Sequence, residues 1–111
     1  MSSILLARDG DIATVTLNRP DKLNAVDLAM WKRLAEVVRT LEADAAVRCV
    51  IVKGAGKGFG AGADISEFLT VRGTPERARD YGAVMVDALF ALRDLPKPTV
   101  AQINGPCTGA G

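Results

Sequence analysis

Two short stretches rich in glycine and alanine carry the strongest chemical signal in this sequence. Residues 57–66 read KGFGAGADIS, and residues 104–111 read NGPCTGAG. Between residues 58 and 63 the first stretch has no acid, base or nucleophile. Small residues instead let peptide N–H groups approach a ligand closely, and two such donors aimed at one oxygen form an oxyanion hole. Because both stretches follow a predicted strand, they could converge on one atom and form a site made of backbone donors.

Two other interpretations of the first stretch stay open at this point. Residues 58–63 match the dinucleotide fingerprint G-x-G-x-x-A, and Asp80 follows about 20 residues later, as that motif requires. However, the fingerprint should follow its strand directly and open a helix, whereas residues 54–57 intervene. A phosphate-binding Walker loop is excluded, since Lys57 is followed by Gly58 and not by Ser or Thr. The alternative without a ligand is a glycine-rich surface loop.

The composition excludes several kinds of side-chain chemistry. The 111 residues contain no histidine, so the chain has no Ser-His or Cys-His pair. Cys49 and Cys107 lie far apart, which disfavours a disulfide framework and a zinc site, and Cys49 is expected to be a buried small hydrophobe. With 14 basic and 13 acidic residues spread along the chain, neither nucleic acid nor an anionic membrane is indicated as a partner.

The N-terminus shows no targeting segment. MSSILLARDGD lacks a basic n-region, and its apolar run is too short for a signal peptide or a membrane span. We therefore expect a cytoplasmic protein.

The elements that would position the two stretches follow from turn and helix signals. Asp9-Gly10 between two β-favouring runs predicts a hairpin. Asn24 is expected to cap a first helix with Asp27 in its first turn. The apolar residues of that helix recur at helical spacing, and they are Leu28, Trp31, Leu34, Val38 and Leu41.

The second half of the chain predicts a strand, a helix and a strand. Residues 48–53 form a continuous apolar run of the type found in strands covered on both faces. Thr74 and Pro75 predict the N-cap and first residue of a second helix, which residues 95–98 (LPKP) end. A last strand is expected over residues 99–103. The order β-β-α-β-α-β suggests a layered α/β fold.

The whole chain resembles the crotonases, the enoyl-CoA hydratase/isomerase family. The segments that carry the resemblance are residues 17–20 (LNRP), 23–26 (LNAV), 57–65 (KGFGAGADI) and 96–105 (PKPTVAQING). The resemblance implies a crotonase-like α/β fold of ββα-type repeats. It also implies that residues 1–111 are the N-terminal portion of a single such domain, truncated before the C-terminal half.

The resemblance assigns roles to individual residues. The backbone N–H groups of Ala63 and Ala110 become the oxyanion donors that stabilise a thioester enolate. The residues implied in acyl-CoA binding, through backbone and apolar contacts, are Lys22, Leu23, Ala25, Ala61, Asp64 and Ile65. An acyl-CoA thioester is the expected partner, no separate cofactor is expected because coenzyme A is part of the substrate, and no metal is expected. For a full-length parent, the resemblance implies a homotrimer or hexamer that acts in fatty acid metabolism, and it leaves the oligomeric state of this chain open.

The family is considerably longer than this chain, and its catalytic carboxylates lie beyond the second glycine-rich stretch. The isolated 111 residues are therefore expected to be inactive, with Asp64 as a structural cap and Glu67 as a surface residue. Hydration, isomerisation, decarboxylation and thioester hydrolysis stay open, since they share the enolate. The alternative is an incomplete fragment or remnant that acts at most as an acyl-CoA-binding module.

Overall fold

The structure, a computed structural model, describes residues 2–111. The strands and α-helices, in chain order, are β1 (Ile4–Asp9), β2 (Ile12–Leu17), α1 (Leu28–Ala43), β3 (Cys49–Gly54), α2 (Pro75–Arg93) and β4 (Thr99–Gln102). Short 3₁₀ turns lie at Pro20–Lys22 and Ile65–Glu67. The predicted order β-β-α-β-α-β is confirmed.

The strands form one sheet in the order β1-β2-β3-β4. β1 and β2 are antiparallel, with Asp9 opposite Ile12, and the remaining neighbours are parallel. The predicted hairpin is therefore confirmed. Its two-residue turn needs a left-handed backbone at Gly10, whose φ is 62°. The parallel strands β2, β3 and β4 end at the same edge of the sheet, where the glycine-rich segments begin.

The two helices and the inward face of the sheet share one apolar core. Alternate residues of β2 and β3 are buried in the same cluster as α1, α2 and the loop residue Phe59. Trp31 and Tyr81 are almost fully buried, and the Trp31 indole nitrogen donates to the Tyr81 hydroxyl at 3.1 Å. Both aromatic residues therefore belong to the core.

β3 differs from its predicted environment. Val50 and Val52 are buried, but Cys49, Ile51 and Lys53 are only half-buried. Successive side chains of a strand point to opposite faces, and the apolar core lies on the face of Val50 and Val52. The expectations of a strand covered on both faces and of a buried Cys49 are therefore wrong for the described residues.

The N-cap of α1 lies three residues later than predicted. Asp27, not Asn24, is the N-cap, and its Oδ1 accepts from the Met30 N–H at 2.8 Å. Asn24 lies outside the helix with a φ of 59° and is fully buried. The predicted start of α2 is confirmed, because the Thr74 hydroxyl accepts from the Arg77 N–H at 3.1 Å and Pro75 is the first helical residue.

Candidate active site

The two glycine-rich segments, residues 57–66 and 104–111, lie side by side. Gly60 and Cys107 form a parallel bridge. The N–H groups of Phe59 and Gly60 donate to the Pro106 carbonyl at 3.1 and 3.2 Å, and the Thr108 N–H donates to the Gly60 carbonyl at 3.1 Å. The structure therefore brings together the two segments on which the sequence-based site depends.

Close backbone contact explains why these segments contain so little side-chain volume. A Cβ added to Gly62 would lie 3.0 Å from the Ala110 nitrogen, and one added to Gly105 would overlap the Lys57 carbonyl oxygen. Gly62 also has a φ of 86°, which favours glycine. Larger residues at these positions would push the two segments apart.

The pairing of Ala63 with Val26 leaves the Ala63 N–H free. The Val26 N–H donates to the Gly62 carbonyl at 2.8 Å, and the Asp64 N–H donates to the Val26 carbonyl at 2.9 Å. In a parallel bridge of this kind, the residue between the two bonded neighbours directs its own N–H to the opposite side. The Ala63 N–H accordingly has no acceptor among residues 2–111.

Ala110 offers a second free donor nearby. Its N–H has no acceptor within the described part of the chain, and its nitrogen lies against Gly62, the residue directly before Ala63. Ala110 is exposed, whereas Ala63 is half-buried. Both segments also border an apolar cavity of about 260 Å³, which Gly60, Gly62, Ala110 and Gly111 line together with core side chains.

Three residues assigned to acyl-CoA binding lie on the segment before α1. Lys22 ends the first 3₁₀ turn and is exposed, and Leu23 is 44% exposed with a φ of 50°. Ala25 is half-buried, one residue before the Val26–Ala63 bridge. This bridge places the segment directly beside Ala63.

The other three residues assigned to acyl-CoA binding lie within two positions of Ala63 in the chain. Ala61 is half-buried, Asp64 has a side chain only 13% exposed, and Ile65 is 87% exposed. Asp64 caps the second 3₁₀ turn by accepting from the Ser66 N–H at 2.9 Å, so its predicted structural role is confirmed. Their roles toward acyl-CoA stay predictions.

A buried asparagine holds the loops around the site together. The Asn24 Nδ2 donates to the carbonyls of Ala55 and Gly58, each at 2.9 Å, and its Oδ1 accepts from the Arg19 N–H at 2.8 Å. The side chain therefore satisfies polar groups from three places in the chain. Sequence reasoning missed this role because asparagine is favoured both at helix N-caps and at left-handed positions.

Arg19 makes the main ionic contact of the site. Its Nη1 donates to the Asp64 Oδ2 at 3.0 Å and to the Ala25 carbonyl at 2.8 Å, and it lies 3.7 Å from the Asp27 Oδ2. Hydrogen bonds from Ser66, and then the Arg19 guanidinium, hold the pKa of Asp64 below its usual value. The carboxylate of Asp64 is therefore ionised at neutral pH, and both of its oxygens accept internal hydrogen bonds.

Glu67 is not the surface residue that the sequence suggested. It is half-buried, and its Oε1 accepts from the Leu28 N–H at 2.9 Å, at the first turn of α1. Burial raises the pKa of Glu67, and the negative charges of Asp27 and Asp64 raise it further. Glu67 therefore caps α1 from a distant segment, a contact that no local pattern indicates.

The dinucleotide interpretation of residues 58–63 is wrong. No α-helix begins at Gly62; the chain instead enters the 3₁₀ turn at Ile65–Glu67, and the next α-helix begins at Pro75. The glycines of this stretch instead allow its backbone to pack closely against residues 104–111. Among residues 2–111 no group of acidic, cysteine or histidine side chains is placed to hold a metal, and no helix of this range is long and apolar enough to cross a membrane.

Comparison with known proteins agrees with the resemblance. The family model described as enoyl-CoA hydratase/isomerase matches residues 12–111. A short-chain-enoyl-CoA hydratase of Clostridium acetobutylicum is 37% identical over the entire chain, and a 1,2-epoxyphenylacetyl-CoA isomerase of Escherichia coli is 36% identical over the entire chain. The chain covers 42% and 43% of these proteins, respectively.

Solved structures extend the comparison to the fold. The crystal structure of an enoyl-CoA hydratase/carnithine racemase from Magnetospirillum magneticum matches 99% of the chain with a TM-score of 0.95 and 50% identity. The chain covers 42% of that structure. With its sheet, its paired glycine-rich segments and these matches, the chain belongs to the enoyl-CoA hydratase/isomerase family and has the crotonase fold.

Proposed function

We propose that residues 1–111 supply the acyl-CoA site and the oxyanion donors of an enoyl-CoA hydratase or isomerase. The observation that carries the proposal is the pairing of Ala63 with Val26, which leaves the Ala63 N–H without an acceptor among the described residues. Ala110 presents a second such N–H next to Gly62. An oxyanion hole requires two donors aimed at one oxygen, and two free N–H groups on adjacent segments support that arrangement.

The proposed chemistry needs no side chain from these segments. The N–H groups of Ala63 and Ala110 donate to the thioester carbonyl oxygen of an acyl-CoA. When a proton leaves the adjacent carbon, or a nucleophile adds to the double bond, electrons move toward that oxygen and form an enolate. Because its negative charge develops between two fixed donors, the transition state is stabilised more than the bound substrate.

The remaining assigned residues hold coenzyme A. Lys22, Leu23 and Ala25 lie on one side of the Val26–Ala63 bridge, and the segment with Ala61, Asp64 and Ile65 lies on the other. Backbone groups and apolar side chains from both segments would contact coenzyme A at the end that carries the thioester. The exposed side chains of Leu23 and Ile65 fit such a role, with coenzyme A as part of the substrate and no separate cofactor.

The groups that move protons are not proposed to lie in this chain. Asp64 is engaged by Arg19 and Ser66, and Glu67 by the Leu28 N–H. Hydration and isomerisation would differ in carboxylates supplied from the rest of a full-length protein, which we expect to be a cytoplasmic trimer or hexamer. Without them, the chain would act as an acyl-CoA-binding module, and this is the second candidate function.

Removing the Ala63 donor tests the proposal. In a full-length protein that carries this sequence, Ala63→Pro deletes the N–H and should lower kcat by about 100- to 1,000-fold, whereas KM for the acyl-CoA should change much less. Lys57→Pro is a matched control, because Lys57 is exposed, follows a glycine with a φ of 75° and has an N–H without an acceptor in residues 2–111. Gly62, before Ala63, has a comparable φ of 86°.

The outcome decides whether Ala63 acts as a hydrogen-bond donor or only forms part of a loop that shapes the pocket. Thermal melts of both variants exclude general unfolding. If Ala63→Pro folds, binds the acyl-CoA and keeps the kcat of the parent, the oxyanion assignment is overturned.

A further inference from the structure

The direction of the Ala63 N–H depends on a very short piece of backbone pairing. The Val26–Ala63 bridge is isolated and does not belong to the main sheet. It is made by the Val26 N–H to the Gly62 carbonyl at 2.8 Å and by the Asp64 N–H to the Val26 carbonyl at 2.9 Å. Two backbone hydrogen bonds alone are a weak restraint on a segment so rich in small residues, so a further clamp would matter.

Arg19 lies where such a clamp is needed. Its Nη1 contacts the carbonyl of Ala25, the residue before Val26, at 2.8 Å, and the carboxylate of Asp64, the residue after Ala63, at 3.0 Å. One nitrogen atom of the guanidinium therefore joins both segments of the bridge. The side chain is 21% exposed, so water screens these contacts less than it screens a surface ion pair.

The backbone of Arg19 is itself held in place. Its N–H donates to the Oδ1 of the fully buried Asn24, and its carbonyl accepts from the N–H groups of Lys22 and Asn24, each at 2.9 Å. Arg19 thus starts from a fixed backbone position and needs to order only its side chain. A planar guanidinium with several donors suits this geometry, since it can serve two acceptors at once.

We propose that Arg19 is a positioning residue that keeps the Ala63 N–H aimed at the thioester oxygen by clamping Ala25 to Asp64. The inference rests on the proposed function of Ala63. Arg19 does not touch the reacting atoms; it acts through the bridge. Its loss lets the segment around Ala63 shift, and a displacement of about 1 Å at a reacting centre can cost about 100-fold in rate.

The first measurement is the kinetics of Arg19→Gln in a full-length protein that carries this sequence. We expect kcat to fall by about 10- to 100-fold, with a much smaller change in KM. The loss should stay below that of Ala63→Pro, because a misaimed donor still contributes. Arg8→Gln is the matched control: Arg8 forms an ion pair with Asp44 at 2.7 Å, far from the bridge in the hairpin, and this variant should keep the kcat of the parent.

The decisive measurement is a double-mutant cycle between Arg19→Gln and Ala63→Pro. If Arg19 acts through the Ala63 donor, then Arg19→Gln has little further effect on kcat once the donor is gone. If Arg19→Gln lowered kcat by the same factor in the parent and in Ala63→Pro, the inference would be overturned. An unchanged kcat for Arg19→Gln alone would also overturn it. If Ala63→Pro fails to fold, an amide-to-ester replacement at Ala63 removes the same N–H and completes the cycle.

The cycle also separates this inference from the proposed function. An unchanged kcat for the Ala63 variants overturns both the donor role and any action of Arg19 through it. A large loss for the Ala63 variants that is additive with Arg19→Gln leaves the donor role intact and overturns only the clamp.

Discussion

Replacing Asn24 should destabilise the protein more than its small side chain suggests. Asn24 is fully buried, donates to the Ala55 and Gly58 carbonyls and accepts from the Arg19 N–H. Its φ of 59° lies in the left-handed region, which asparagine tolerates better than most residues. Asn24→Ala removes all three hydrogen bonds and places alanine at that φ.

The expected cost follows from these contacts. Three hydrogen bonds at about 1 kcal/mol each, together with about 1 kcal/mol for alanine at a left-handed position, give about 4 kcal/mol. Asn24→Asp keeps the size, the acceptor for Arg19 and the tolerance of the left-handed region. However, Asn24→Asp replaces the donating NH2 group by a carboxylate oxygen that faces two carbonyl oxygens. We therefore expect the free energy of unfolding to fall by at least about 2 kcal/mol at pH 7.

Urea unfolding of a full-length protein that carries this sequence measures both losses. Asn18→Asp is the control, because the Asn18 amide makes one exposed bond to the Ser2 carbonyl at 3.1 Å and should lose under about 1 kcal/mol. A loss below about 0.5 kcal/mol for Asn24→Asp, equal to that of Asn18→Asp, would refute the role of Asn24 as the buried link between these loops.

Two further predictions follow from the carboxylates. Assayed alone with a trans-2-enoyl-CoA, the 111-residue chain should show no turnover above buffer, because Asp64 and Glu67 are engaged by internal donors; clear turnover would identify an acid within the chain. Burial raises the pKa of Glu67, so its ionised form weakens the folded state above that pKa, and this cost vanishes below the unfolded value of about 4.3. The unfolding midpoint of Glu67→Gln minus that of the parent should therefore be larger at pH 7 than at pH 4. The same difference at both pH values would contradict the burial argument.

The parts of the fold that follow local rules could be predicted from the sequence. The hairpin indicated by Asp9-Gly10 and the helix start at Thr74-Pro75 depend on residues within a few positions, and both appear as expected. The start of α1 could not be predicted as well, since Asn24 and Asp27 are both good caps. The Asn24 side chain instead donates to carbonyls 31 and 34 residues later in the chain, and no local signal reveals these contacts.

The site shows the same division. The residue types in the two glycine-rich segments indicate backbone chemistry, because little else is available there. Which N–H remains free depends on the Val26–Ala63 bridge, and the clamp across it joins Arg19 to a carboxylate 45 residues later. Such pairings arise only when the sheet brings the loops together.

The central claim is that the Ala63 N–H bonds to the thioester oxygen, and the carbonyl stretch of a bound acyl-CoA tests this most directly. In a full-length protein that carries this sequence, a saturated acyl-CoA labelled with ¹³C at the thioester carbonyl should absorb at lower infrared frequency than the same compound in water, because two fixed donors polarise the bond. An amide-to-ester replacement at Ala63 should reverse a large part of that shift while acyl-CoA still binds. If the bound frequency is the same with and without the Ala63 N–H, the donor does not contact the thioester oxygen and the proposed site is wrong.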